Sequence, residues 1–232
     1  MKSMTSKHDR NEVMIKLNNV SKSFFENGKE IHILKDLDLI VRRGEKVAIV
    51  GPSGSGKSTV LSIIAGIDKP DAGEVVVNSK NLNTLSEKAL ALFRNQDIGI
   101  VFQSFELILP FTVSENVSAP QDISGARDDV LTASLLEKVN LSQKSNSDVS
   151  NLSGGEKQRL AIARSLSNNP EIILADEPTG SLDRITGKKV LDLLIGLIEK
   201  EHKALIIITH DEEVAKRMDK TYELRDRKLI LI

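Results

Sequence analysis

One glycine-rich segment, Gly51-Pro52-Ser53-Gly54-Ser55-Gly56-Lys57-Ser58, constrains the fold of this chain more than any other feature. It fits the pattern G-x-x-x-x-G-K-[ST], follows an apolar run at residues 47–50, and precedes residues 58–65, which predict a helix. Glycines in such a loop let backbone N–H groups face phosphate oxygens, and the helix dipole favours the same anions. The segment therefore predicts an α/β fold in which Lys57 reaches nucleotide phosphates and Ser58 holds Mg²⁺.

Two later apolar runs, residues 172–175 and 205–208, have the continuous pattern of strands that are buried on both faces. The first is followed by Asp176 and Glu177, and the second by Thr209 and His210. Ligands of open parallel sheets bind beyond the carboxyl ends of the strands. The glycine-rich loop and these two strand ends therefore predict one shared site, although acids in a solvated loop and a structural histidine are the ordinary alternatives.

Each polar side chain at these strand ends has a predicted role. Asp176 is the expected Mg²⁺ ligand beside Ser58. Glu177 is the candidate general base, because a carboxylate next to the metal ligand can orient or deprotonate a water in line with the γ-phosphate. His210 can hydrogen-bond the γ-phosphate or that water, and with Lys57 it is expected to stabilise charge on the transferred phosphoryl group.

A second glycine-containing helix start lies at Ser153-Gly154-Gly155-Glu156. Ser153 and Glu156 form the capping-box pattern, and the pattern alone predicts a helix that begins here. Two glycines in a first helical turn cost of order 1 kcal/mol each relative to alanine, so bare backbone is expected to serve a purpose. A helix N-terminus binds anions, but Lys57 and its loop already supply such a site. We therefore predict that a second copy of the chain contributes this helix end across a dimer interface.

Composition excludes several classes of protein. The net charge of −1 argues against a nucleic-acid partner, and the absence of cysteine excludes disulfides and thiolate metal sites. Residues 1–11 are polar and predict neither a secretory signal nor an anchor. The apolar runs fall far short of the ~20 residues that a membrane-spanning helix needs. Any role at a membrane is thus expected to come through a partner.

The chain is expected to form a single domain, 1–232, with three parts. Residues 13–49 predict short, largely antiparallel strands with a turn at 26–30, and residues 104–165 predict a separate helical subdomain that carries the Ser153 helix. The remainder is the predicted parallel core that carries the phosphate loop. Residues 222–232 predict a terminal hairpin.

Together these motifs resemble the ATP-binding cassette (ABC) family, because the glycine-rich loop, Leu152-Ser153-Gly154-Gly155-Glu156, Asp176-Glu177 and His210 occur in the family's order. The resemblance runs from Val13 to the C-terminus and implies a P-loop NTPase fold with a RecA-like core. It implies that two cassettes, a homodimer or a pair, enclose two ATP molecules with Mg²⁺. It also implies an integral membrane permease as partner, with the cassette peripheral on the cytoplasmic face of the inner or plasma membrane.

The resemblance assigns further roles by position. Thr59 completes the phosphate-binding segment, and Gln103 is implied to touch Mg²⁺ or the attacking water and to lie near the membrane partner. Asp183, in Ser181-Leu182-Asp183, is implied to cross the dimer interface. Phe24 occupies the place of an aromatic residue that stacks on adenine, with Phe25 as the competing candidate.

Within the family, Phe102-Gln103-Ser104-Phe105 and Glu115-Asn116-Val117 resemble the lipoprotein-releasing and macrolide-exporter ATPases. This favours an exporter, or a transporter that handles lipoproteins, peptides or antibiotics. The main alternative is an ATPase that transmits force to a membrane protein without transport, as the cell-division ATPase FtsE does. A soluble DNA-repair ATPase is less favoured, because the sequence has no long coiled-coil insertion and no strongly basic surface. A switch GTPase is also less favoured: Asp122-Ile123-Ser124-Gly125 superficially fits a switch motif, but the sequence has no Asn-Lys-x-Asp motif to read the base.

Overall fold

The computed structural model describes residues 11–26 and 28–232, which form two sheets and seven α-helices within that part of the chain. The strands are β1 (Val13–Glu26), β2 (Lys29–Arg42), β3 (Lys46–Val50), β4 (Ala72–Val77), β5 (Lys80–Asn81), β6 (Ile98–Val101), β7 (Ile172–Asp176), β8 (Ala204–Ile208), β9 (Lys220–Arg225) and β10 (Lys228–Leu231). The helices are α1 (Lys57–Ile64), α2 (Glu87–Asp97), α3 (Val113–Ser124), α4 (Asp129–Lys138), α5 (Gly154–Ser165), α6 (Arg184–Lys200) and α7 (Glu212–Ala215). The expectation for residues 1–10 lies outside the described residues.

The larger sheet has the strand order β10-β9-β3-β8-β7-β6. Strands β9, β3, β8, β7 and β6 pair in parallel, and only β10 pairs antiparallel, in the hairpin with β9. The carboxyl ends of β3, β8 and β7 therefore meet at one edge of the sheet. This confirms the predicted parallel α/β core and accounts for the continuous apolar runs, since every residue of β8 is buried.

The smaller, antiparallel sheet has the order β2-β1-β4-β5. Its first two strands are 14 residues each rather than short, and shifts of register interrupt their pairing. The antiparallel part contains only residues 13–42 of the predicted 13–49, because β3 pairs in parallel with β8 and β9. It also gains β4 and β5, which follow α1 in the chain. The pairing of β4 with β1 joins segments that are distant in the chain, and the apolar pattern of residues 72–81 is too weak to predict it.

The two faces of the parallel sheet bury different partners. Side chains such as Val47, Ile49 and Ile206 pack with α1 and the antiparallel sheet. Their neighbours along the strands point the other way and pack with α3, α4, α5 and α6. Residues 104–165 contribute α3, α4 and α5, and the buried apolar residues of these helices join one hydrophobic cluster with α6 and the sheet.

None of the helices formed by residues 11–26 and 28–232 is both long and apolar enough to cross a bilayer.

Candidate functional site

The phosphate loop, residues 51–58, connects β3 to α1 and requires glycine at particular positions. Gly51 and Gly56 have φ of 146° and 103°, in the region that residues other than glycine rarely adopt. A Cβ on Gly51 would lie 2.8 Å from the Leu224 carbonyl oxygen, and one on Gly56 would lie 2.6 Å from Cγ2 of Ile33. The loop is thus pressed between β9 and β2, and its glycines are required by packing as well as by backbone conformation.

Two polar side chains of the phosphate loop, Lys57 and Ser55, are directed toward the interior of the loop. The ammonium of Lys57 donates hydrogen bonds to the carbonyl oxygens of Gly51 (2.9 Å) and Pro52 (2.8 Å). The hydroxyl of Ser55 is one of two buried side-chain polar atoms in the described part of the chain that have no hydrogen-bond partner. Helix α1 starts without a side-chain cap, so its first N–H groups remain available to an anion. The loop has the donors that phosphate oxygens need.

The predicted metal ligands lie together. Ser58, on α1, donates a hydrogen bond of 2.9 Å from its hydroxyl to Oδ2 of Asp176, at the end of β7. Hydroxyl and carboxylate oxygens are the hard donors that Mg²⁺ prefers. No cluster of three or more His, Asp or Glu side chains suited to a metal occurs among residues 11–26 and 28–232. Ser58 and Asp176 supply two such oxygens, and this donor set fits Mg²⁺ bound together with phosphate and water oxygens.

Glu177 and His210 form a hydrogen-bonded pair across the ends of β7 and β8. The Nδ1 atom of His210 lies 2.8 Å from Oε1 of Glu177. Glu177 has a φ of 47°, in the left-handed region, and its backbone N–H donates to the carbonyl oxygen of Ile208. This backbone conformation is unfavourable for a residue with a side chain and recurs at functional sites. The sequence predicted both residues but not their direct contact.

One cavity of about 540 Å³, here called the nucleotide cavity, brings most of the predicted residues together. Phe24 lines it and is about half exposed, whereas Phe25 is 78% exposed and is not among the lining residues. Of the two aromatic candidates, Phe24 is thus the one that lines this cavity. The lining residues are Phe24, Ile33, Gly51, Ser53, Gly54, Gly56, Lys57, Ser58, Thr59, Gln103, Asp176, Glu177, Ile208 and His210.

The start of α5 has the predicted capping box but does not line the nucleotide cavity. The Ser153 hydroxyl caps the N–H of Glu156, and the Glu156 carboxylate accepts from the backbone N–H of Ser153. The Lys144 ammonium, 2.6 Å away, together with the Ser153 N–H lowers the pKa of Glu156 to about 2. A carboxylate with so low a pKa stays charged, and it holds this helix end in a fixed conformation.

The two glycines of α5 differ in what they contact. A Cβ on Gly155 would lie 2.5 Å from Cγ2 of Thr186, so this glycine lets α5 pack against α6. A Cβ on Gly154 would meet only the Leu182 side chain, at 3.4 Å, and Gly154 is exposed. Packing within the chain therefore explains Gly155, which the sequence analysis attributed to an external anion. Of these two glycines, Gly154 is the one that is exposed to another molecule.

Asp183 lies beside Glu177 and His210 rather than in the nucleotide cavity. Its carboxylate caps α6, and the hydroxyl and N–H of Thr186 lower its pKa. It lines a second cavity of about 640 Å³, which also contacts Glu177 and His210. The hydroxyl of Ser181 donates to the carbonyl oxygen of Gln103, so this loop also contacts the Gln103 loop.

Sequence reasoning missed Arg164, which anchors the loop that follows Gln103. The Arg164 guanidinium, on α5, donates to the carbonyl oxygens of Phe105 (3.0 Å) and Glu106 (2.5 Å). Those two residues have φ of 64° and 48°, an unfavourable left-handed pair that the contact stabilises. Burial lowers the pKa of Arg164. The partners are 58 and 59 positions away along the chain, so no local pattern indicated the contact.

Comparisons with known proteins show the family of this chain. Residues 34–180 match the family described as ABC transporter. The chain is 40% identical to the lipoprotein-releasing system ATP-binding protein LolD of Legionella pneumophila, over 94% of this chain and 98% of that protein. It is 42% identical to an uncharacterized ABC transporter ATP-binding protein of Mycobacterium tuberculosis, over 94% and 89% of the two chains.

Among solved structures, the ATP-binding cassette MJ0796, dimeric in a post-hydrolysis state with ADP and phosphate, superposes with a TM-score of 0.85. It is 41% identical in sequence, and the match covers 93% of this chain and 96% of that one. Sequence, fold and the arrangement of the phosphate loop with Asp176 and Glu177 thus lead to the same conclusion. The chain belongs to the ABC transporter family and is one of its ATP-binding cassettes, an ATP hydrolase.

Proposed function

We propose that two copies of this chain close on two ATP molecules and thereby drive an integral membrane partner that handles lipoproteins. The observation that carries the dimer is the position of the Ser153 helix end: its exposed Gly154 backbone does not line the nucleotide cavity of its own chain. A second chain can bring this helix end to the phosphates. The dimeric state of the similar cassette supports this arrangement.

The base and the phosphates of ATP would contact different parts of the nucleotide cavity. Phe24 offers an exposed ring face to the adenine, since stacking on an aromatic side chain does not require a hydroxyl. The N–H groups of the phosphate loop and Ser55 would bind the phosphate oxygens. Lys57 would exchange its two carbonyl partners for the β- and γ-phosphates.

Ser58 and Asp176 would hold Mg²⁺, with Gln103 near the same ion or the attacking water. The ion would neutralise charge on the phosphate oxygens. Ser58 and Asp176 are already in hydrogen-bond contact, so little rearrangement is needed for both oxygens to face one ion.

Hydrolysis would begin with Glu177, which orients and deprotonates the attacking water. His210 holds the Glu177 carboxylate through Nδ1, which fixes the direction in which that carboxylate accepts a proton. Lys57 and His210 would stabilise negative charge that develops on the phosphoryl oxygens. Loss of the γ-phosphate removes a group that both chains contact, so the dimer reopens.

Transmission to the membrane partner would run through the loop after Gln103. Arg164, on α5, donates to carbonyl oxygens of this loop, and Gln158 on the same helix donates to the carbonyl oxygen of Phe102, just before Gln103. Ser181, in the Asp183 loop, donates to the carbonyl oxygen of Gln103. Movement of α5 would therefore shift the Gln103 loop with it. The cassette would lie on the cytoplasmic face of the inner membrane, and the names of the LolD relatives support lipoprotein as cargo.

The test is to purify tagged Glu177→Gln protein with ATP from detergent-solubilised membranes and to identify the proteins that come with it by mass spectrometry. The expected partner is an integral membrane protein with few spans and a large extracytoplasmic domain. The same partner, purified with the parent cassette and reconstituted into liposomes that contain a lipoprotein, should release the lipoprotein when ATP is added. ATP hydrolysis without release would favour a force-transmitting ATPase, and recovery of only soluble or DNA-associated proteins would contradict a membrane role.

A further inference from the structure

The strand segment just before Phe24 is held by the loop that follows α1, residues 65–71, here called the clamp loop. The ammonium of Lys22, on β1, donates to Oδ1 of Asp68 and to the carbonyl oxygen of Lys69, both at 2.7 Å. A second carboxylate, Asp71, lies 3.8 Å from the same ammonium. Lys22 is therefore a buried cation with two hydrogen-bond partners on one loop.

The backbone of β1 is bound to the same loop on both sides of Lys22. The N–H of Ser23 donates to Oδ2 of Asp71 at 2.6 Å, and the N–H of Asp71 donates to the carbonyl oxygen of Ser21 at 2.9 Å. The pairing of β1 with β2 shifts register on each side of Lys22. Regular sheet pairing is interrupted here, so contacts with the clamp loop position this segment.

The cation of Lys22 also contacts the ring of Phe24. Its Nζ atom lies 5.2 Å from the ring centroid, within the range of a cation–π interaction. Such contacts are stronger when the cation is removed from water, as the Lys22 ammonium is. The ring nevertheless remains about half exposed and lines the nucleotide cavity. One side of the ring is thus held by a fixed charge while another surface remains open.

Helix α1 connects these contacts to the phosphate loop. The phosphate loop leads into the first residue of α1, and the clamp loop follows its last. Because a helix is rigid over two turns, the clamp loop keeps a fixed distance from the phosphate loop. Because the Lys22 ammonium binds the clamp loop and also contacts the Phe24 ring, it fixes the position of that ring relative to the phosphate loop.

We propose that Lys22 is a positioning residue for the nucleotide base: its ammonium, fixed to the clamp loop, holds the Phe24 ring at the correct distance from the phosphate loop. The inference rests on the proposed stacking of the adenine on Phe24. Phe25 follows Phe24 on the opposite face of the strand and has no such support among the contacts of the described residues. Lys22 therefore contributes to the recognition of ATP without touching the phosphates.

The test separates base binding from phosphate binding. Titration calorimetry without Mg²⁺, so that hydrolysis does not intervene, gives the Kd of ATP and of inorganic triphosphate for the full chain. Lys22→Met keeps the aliphatic stem but loses the cation–π contact, so it should raise the Kd of ATP about three- to tenfold. It should leave the triphosphate Kd unchanged. Lys22→Arg should retain the parent affinity, because a guanidinium can make the same cation–π contact.

Lys69→Met is the matched control, because its ammonium pairs with Glu87 and not with the ring. It should change neither Kd. Equal losses of ATP and triphosphate affinity in Lys22→Met would overturn the inference, because they would show that Lys22 acts on the phosphate loop or the fold. An unchanged ATP Kd would overturn it as well.

A double-mutant cycle with Phe24→Leu distinguishes this inference from the stacking on which it rests. If the inference holds, Lys22→Met has no further effect on ATP affinity once the ring is gone. If Phe24→Leu alone weakens ATP but Lys22→Met does not, stacking stands and the role of Lys22 is wrong. If Phe24→Leu leaves the ATP Kd unchanged, both are wrong, while the membrane function is tested separately by purification. Should Lys22→Met fail to fold, Asp68→Asn provides a second variant, because it weakens the contact that holds the Lys22 ammonium. It should raise the Kd of ATP and leave the Kd of triphosphate unchanged.

Discussion

At the residue scale, Gly56 shows how one position joins nucleotide binding to the fold. It adopts a left-handed φ, as the phosphate loop requires, and it contacts Ile33 and Leu34 of β2 so closely that a Cβ does not fit. Gly54, in the same loop, has a φ of 75° but nothing within 4 Å of a Cβ. Both glycines adopt a positive φ, but only at Gly56 do neighbouring atoms also leave no room for a Cβ.

We predict that Gly56→Ala destabilises the chain more than Gly54→Ala does. Gly54→Ala should cost about 1–2 kcal/mol in free energy of unfolding, from left-handed strain alone. Gly56→Ala should cost about 1–3 kcal/mol more, because Ile33 and β2 must move to admit the methyl group. Urea unfolding monitored by circular dichroism measures both. Equal losses would mean that β2 yields without cost.

Glu177 carries the second prediction at this scale. Glu177→Gln keeps the size of the side chain and removes its ability to accept a proton, so ATP turnover should fall at least about 100-fold. ATP binding should persist, as shown by nucleotide-dependent protection against heat. Glu87→Gln is the control and should keep the parent rate, because Glu87 is an exposed acid that pairs with Lys69 and does not line the nucleotide cavity. A Glu177→Gln protein that hydrolyses ATP as fast as the parent would exclude Glu177 as the base.

At the scale of elements, the sequence predicted those segments whose signals are local. The strand, loop and helix around residues 46–64, the buried strands β7 and β8, and the capping box of α5 all have short, strong patterns. Strand β4 was missed because it pairs with β1, more than 50 residues earlier in the chain. Helix α2 and the two-residue strand β5 were missed as well. The Lys22 and Arg164 contacts were missed for the same reason, since each joins segments more than 40 residues apart.

The capping box of α5 predicts a pH effect with a definite sign. The folded pKa of Glu156 is about 2 against an ordinary 4.5, so its charge stabilises the fold above pH 4.5 and that contribution is lost as pH falls toward 2. Glu156→Gln keeps the cap geometry but removes the charge. The parent should be more stable than Glu156→Gln at pH 7, by less than about 1 kcal/mol, because Lys144 is partly exposed.

Unfolding by urea at a series of pH values measures this difference. It should be constant above pH 4.5 and shrink below it. A difference that instead grew at low pH would show that the Glu156 carboxylate is not stabilised by its charge.

At the scale of the whole molecule, the site is assembled from strand ends, two loops and a ring on a second sheet. The sequence indicated most of the residues of the site, because each follows a buried strand or lies in a known pattern. It could not give the strand order, which places β3 between β8 and β9, nor the shared core of helices and sheet. Those depend on pairings that only the folded chain makes.

The exposed helix end at Gly154 gives the prediction for the assembly. Gly154→Asp places a carboxylate at the first turn of α5, where the helix dipole favours it and little within the chain obstructs it. Stability should therefore change by less than about 1 kcal/mol. The added charge should nevertheless repel the phosphates of a partner's ATP. In a Glu177→Gln background, light scattering after gel filtration should show a dimer with ATP, and Gly154→Asp should abolish it.

Asn151→Asp is the control for that experiment, because it adds the same charge just outside the helix. It should dimerise with ATP as the background does. A Gly154→Asp protein that still dimerises would show that this helix end does not meet the nucleotide of a partner.

The pairing of β3 with β9 has a consequence for how the protein is made. Val47 pairs with Lys220, and the carbonyl oxygen of Leu224 lies against Gly51, so the phosphate loop is supported by a strand more than 160 residues later. During synthesis the ribosome must release β9 before this support exists. Contacts so distant in the chain form slowly, and a nascent chain that lacks them leaves β3 as an exposed sheet edge. In the cell, nucleotide would thus bind only after β9 has paired with β3, and it would stabilise only fully folded chains.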